Sequence, residues 1–124
     1  MNMKSHYLWI TGIVMILFLS KCYYDNEEDL YPVVDCNTTN MSYANDVNPI
    51  ITNNCLSCHN AQFPQGGVVL EGYSNLHNYV INGRLKGSIQ HDSGFSPMPQ
   101  GAAKLSSCFI QQINAWIDQG AQNN

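Results

Sequence analysis

Within this 124-residue chain, Cys55-Leu56-Ser57-Cys58-His59 is the stretch whose residue types and spacing carry chemistry. Two cysteines two residues apart, followed at once by a histidine, read as a covalent c-type haem attachment site. Each thiol can add to one vinyl group of a porphyrin, and the spacing sets the two sulfurs across one helical turn. The histidine then lies under the ring, where its imidazole can bind iron. A chain of this composition contains roughly 0.006 such matches by chance. The reading requires a second iron ligand, a crevice for the ring and a route of export.

Ser96-Pro97-Met98-Pro99 offers the second ligand. A thioether is a soft donor that suits iron in an electron-transfer site, and His/Met ligation raises the reduction potential relative to two histidines. The flanking prolines fix φ and lack amide hydrogens, so the loop is expected to be extended and to present Met98 with little entropy left to lose. His77 and His91 are the other candidate ligands, and both read better as surface or turn residues.

The elements that must position these groups are short helices. Asn45 or Asp46 can cap a first helix, with Val47, Ile50 and Ile51 on one face and Pro49 tolerated in its first turn. That helix runs into Cys55. Asn60 to Gly67 reads as a loop, and a backbone carbonyl within it is the expected acceptor for the second ring nitrogen of His59. Val68 to Leu70 leans towards strand. Ser74 can cap a helix carrying Leu76, Tyr79, Val80 and Ile81, which Gly83 would stop, while 85–94 fits helix and loop equally. Ser106 or Ser107 caps the clearest helix, whose stripe is Phe109, Ile113, Trp116 and Ile117, and Gly120 suits its end. Tyr73, Tyr79 and Trp116 are expected mainly as core.

Residues 1–21 look like a secretory signal: Lys4, a thirteen-residue apolar run from Tyr7 to Leu19, then Ser20-Lys21-Cys22. Thirteen is short of the ~20 apolar residues that cross a bilayer. Five of the nine acidic residues lie before Cys36, making 22–35 an acidic tether. From Cys36 onward three cations (Arg84, Lys86, Lys104) face four anions (Asp46, Glu71, Asp92, Asp118), so the domain at 36–124 is near neutral. Nothing is basic enough to recruit nucleic acid. Cys36 and Cys108 remain as an even pair that an oxidising compartment would bridge; two unpaired thiols are the other arrangement.

On these residues the chain resembles the small mono-haem cytochromes c. Its similarity runs from about Tyr43 to Ala121, includes the Met98 loop, and is most specific in the Cys55 to His59 motif and the C-terminal helix ending Trp116-Ile117-Asp118-Gln119-Gly120-Ala121. It looks like the cytochrome c domains of exported Bacteroidetes lipoproteins, and Cys22 is similar to the lipid-modified cysteine of bacterial lipoproteins. Lys21 departs from the small residue usual before that cysteine, and most small cytochromes c lack a pair like Cys36 and Cys108. The resemblance implies an all-α fold: three to four short helices around one covalently bound haem c, with crossed first and last helices. It implies Cys55 and Cys58 as thioether anchors, and His59 and Met98 as axial ligands. It further implies a monomeric electron carrier, not an enzyme, lipid-anchored in the bacterial envelope facing the periplasm or the outside. Its partners would be a donor and an acceptor redox protein. The rival readings are a haem enzyme or gas-ligand sensor with a displaceable Met98, and a structural lipoprotein holding zinc. Zinc would need one ligand beyond Cys55, Cys58 and His59.

Overall fold

A computed structural model of the chain describes residues 36–124; the signal, Cys22 and the acidic tether lie outside the described residues. The described residues form five α-helices and no strand: α1 (Asn48–Asn54), α2 (Leu56–His59), α3 (Tyr73–Ile81), α4 (Arg84–Gln90) and α5 (Ser107–Asp118). The fold is all-α, with more helices than the three or four expected.

A wide π-turn, Tyr43–Val47, leads directly into α1. Proline explains its width. Pro49 has no amide hydrogen and its ring crowds the carbonyl four residues back. The preceding turn shifts to bonds five residues long, with Val47 N–H donating to Ser42 O (3.2 Å) and Asn48 N–H to Tyr43 O. The cap is Ser42, three residues before Asn45. Its hydroxyl accepts from Asn45 N–H (3.2 Å), while the Asp46 carboxylate accepts from Ser42 N–H (2.7 Å). This reciprocal pair is a capping box stretched by the wider turn.

Helix α3 begins at Tyr73 after Gly72, so Ser74 lies inside it and caps nothing. The ambiguous stretch beyond Gly83 is helical as far as Gln90, where His91 takes the left-handed conformation (φ 58°). Val68 to Leu70 is extended but pairs with no strand; Leu70 N–H instead donates to His59 O (2.9 Å).

Ser106 caps α5 by accepting from Phe109 N–H (3.2 Å). At the other end, Ala121 N–H donates to Trp116 O (2.9 Å) and Gly120 N–H to Ile117 O (3.0 Å), with Gly120 at φ 99°. This is a Schellman closure, which requires a left-handed residue at that position. Ile113 and Trp116 are fully buried, whereas Phe109 stands at the rim, 38% exposed.

The core joins Val47, Ile50 and Ile51 to Leu76, Leu85, Ile89, Ile113 and Trp116. Tyr43 packs against both Tyr73 (5.2 Å between ring centroids) and Trp116 (5.9 Å), linking the start of the domain to its last helix. Trp116 and Tyr73 are structural, as expected. Trp116 Nε1–H donates to Gln122 O and the Tyr73 hydroxyl to Ala121 O, both at 2.9 Å. Cys36 and Cys108 form a disulfide across 72 residues of sequence. By the loop-entropy argument, closing a loop of that size restricts the unfolded chain by about 4 kcal/mol.

Candidate functional site

Cys55 closes α1, its N–H donating to Ile51 O (2.8 Å), but its backbone (φ −122°, ψ −37°) departs from helix and α2 begins at the next residue. Within α2, Cys58 N–H and His59 N–H both donate to Cys55 O (3.1 and 2.9 Å). Positions i, i+3 and i+4 share one helical face. The motif therefore places two thiols and an imidazole together on one turn. Both cysteines are free and partly buried. Burial, and then the neighbouring Cys58, push the Cys55 thiol up to about 11.

His59 is oriented from behind. Its Nδ1 lies 3.3 Å from the Val68 carbonyl oxygen, which can only accept, so Nδ1 carries a proton and the neutral ring has its lone pair on Nε2. The acceptor falls one residue past the 60–67 loop in which it was expected. Gly66 and Gly67, at φ 64° and 69°, turn the chain back, and the Leu70 amide then grips the His59 carbonyl. Imidazole and backbone of His59 are thus clasped by alternate residues of one extended segment.

Met98 arrives from the segment after α4. Its N–H donates to Ser88 O (3.0 Å), and its carbonyl accepts from His91 Nε2–H (3.0 Å). The loop bends at Met98 rather than running extended as its prolines suggested.

Cys55, Cys58, His59 and Met98 line one cavity of about 690 Å³. That volume lies within the ~300–1,000 Å³ of ordinary ligand sites. Its apolar wall includes Val68, Leu70, Leu85, Ile89 and Leu105, and Tyr79 lies along it. His77 and His91 are not among the lining residues; His77 sits beside the Tyr73 ring (5.2 Å). Sequence reasoning missed Arg84, which lines the cavity with its guanidinium 5.3 Å from the centre of the Tyr79 ring. It also missed Leu85 and Ile89 as wall residues. Their i, i+4 spacing was the available signal, too brief to separate helix from loop.

Among the described residues, no three His, Cys, Asp or Glu side chains converge closely enough to hold a metal ion, those of the motif included. Cys22 lies outside the described residues. The arrangement offers two free thiols, one imidazole nitrogen and one thioether around an apolar space. No family model matches the chain, and neither do any of the curated proteins or solved structures.

Proposed function

We propose that the domain is an exported mono-haem cytochrome c that carries single electrons. The observation that carries this reading is the common cavity: Met98, 39 residues beyond His59, borders the same space as Cys55, Cys58 and His59. The donor set fits a covalently held porphyrin. Two free thiols on one turn can form the thioethers, His59 has Nε2 available, and the thioether of Met98 supplies a soft second ligand. When bound, the haem would supply a reversible one-electron couple at its iron.

The chain's own residues would do the rest. Val68 O fixes the tautomer and plane of His59. Leu70, Leu85, Ile89 and Leu105 exclude water, and Arg84 places a cation where porphyrin carboxylates could be met. The near-neutral charge of the domain points to partners docked by short-range contact rather than long-range steering. Cys22 would carry a lipid anchor holding the domain at the envelope.

Optical spectra of protein matured in a cytochrome c-producing periplasm test the reading. Pigment that survives acid–acetone extraction and a weak near-infrared sulfur–iron band are expected. Colourless or extractable material would overturn the haem assignment, and pigment without the band would overturn Met98 as a ligand.

A further inference from the structure

Gly87 sits buried in the middle of α4, with its backbone in no conformation that requires glycine. Glycine weakens a helix interior relative to alanine, so its presence calls for a spatial reason. The reason is Phe95. A Cβ on Gly87 would lie 2.5 Å from Phe95 Cγ and 2.6 Å from Cε2, and would also meet Cδ2. No real Cβ tolerates such contacts, and the obstacle is the body of a ring rather than the tip of a flexible chain. The missing side chain is a seat, and Phe95 fills it.

The same turn of α4 holds the rest of the segment. Asp92 N–H donates to Gly87 O (2.9 Å), while His91 N–H and Met98 N–H both donate to Ser88 O (3.3 and 3.0 Å). Phe95 N–H in turn donates to Asp92 O (3.2 Å). The chain from His91 to Met98 is therefore fastened to Gly87 and Ser88 at both ends, with the Phe95 ring as its only large side chain pressed between. Phe95 lines the cavity together with Met98 and is 39% exposed.

We infer that Phe95, seated on Gly87, is a positioning residue: it sets where the Met98 sulfur stands in the cavity and keeps that sulfur from being displaced by outside ligands. The inference rests on the reading of Met98 as an iron ligand. Removing the ring, or filling its seat, takes away the side-chain support beside Met98 and leaves its thioether free to turn about a main chain held only by Ser88 and His91.

The test uses the full-length, haem-loaded protein. The near-infrared sulfur–iron band is recorded in the ferric state, and the rate of carbon monoxide binding in the ferrous state. Phe95→Ala and Gly87→Ala are expected to lose most of the band and to bind carbon monoxide about tenfold faster, in proportion to the open fraction. Phe95→Tyr, which keeps the ring, is expected to retain both parental properties. Ile113→Val, which thins the core on α5, is expected to do the same. Parental spectra and rates in Phe95→Ala would overturn the seat while leaving the ligand assignment standing. Loss of the band in Phe95→Tyr or Ile113→Val would also overturn it, by showing general loosening. Should Gly87→Ala yield no pigmented protein, Phe95→Ala decides alone. A parent protein with no band at all would sink the ligand reading first, and this inference with it.

Discussion

His59 and Met98 border one cavity but are held in different ways. The imidazole is fixed at its ring by the Val68 carbonyl and at its backbone by Leu70, whereas Met98 is fastened only through its main chain, to Ser88 and His91. If both residues bind iron as proposed, a side chain with three rotatable bonds and no hydrogen bond of its own would be the more displaceable ligand. Met98→Ala should therefore keep covalently bound pigment and a folded domain. It should lose the near-infrared band, bind carbon monoxide readily and show a lower reduction potential, as expected when thioether ligation is lost. Titration of the variant and its parent against a redox indicator checks the direction; an unchanged potential would remove Met98 from the iron. The four residues that line one cavity and are proposed as donors could be singled out in Cys55 to His59 and in Ser96 to Pro99, because covalent and ligand chemistry depends on residue type. Their supports could not. The Val68 and Ser88 carbonyls belong to the backbone, which every residue carries, so no residue type announces them.

Elements were legible where apolar spacing was long and the caps were polar. The twelve residues of α5 combine a serine cap, two fully buried positions three apart and a glycine at the turn beyond, and its bounds follow from those signals. Its first predicted core residue, Phe109, lies too close to the helix start to be covered. Helix α4 was illegible for the opposite reason. Seven residues give a single i, i+4 pair, Leu85 and Ile89, and the glycine between them reads as a breaker although it serves as a seat. The start of the first helix moved to Ser42 because Pro49 forces wider hydrogen bonding, which a capping rule built on ordinary α spacing does not anticipate. At Gly120 the left-handed backbone (φ 99°) closes α5 and brings Ala121 into the core beside the Tyr73 hydroxyl. Gly120→Ala should destabilise the domain by about 1–2 kcal/mol, the ordinary penalty for an L-residue in that region. The shift in urea midpoint at unchanged slope measures it, and no shift would mean that the closure re-forms without strain.

At the scale of the molecule, a disulfide and, on the proposed reading, a porphyrin compensate for a small interior. A domain of this size buries too little surface to be comfortably stable on core packing alone. The disulfide from Cys36 to Cys108 restricts the unfolded chain, but it joins the start of the domain to the start of α5 and does nothing for the cavity wall. Leu70, Leu85 and Ile89 belong both to the core and to that wall. On the proposed reading a porphyrin would fill the cavity and give α4 and its Met98 segment a packing partner across it, a contact that the chain alone does not supply. The disulfide-bonded chain lacking haem should thus keep part of its helix by far-UV circular dichroism. It should lose the sharp near-UV signal of Trp116, Tyr43 and Tyr73, whose packing depends on the elements around the cavity closing together. A haem-free preparation, made by expression without the attachment machinery, provides the comparison with the loaded protein. A haem-free chain with intact near-UV bands and a cooperative melt near that of the loaded form would show that the helices close on each other without a prosthetic core.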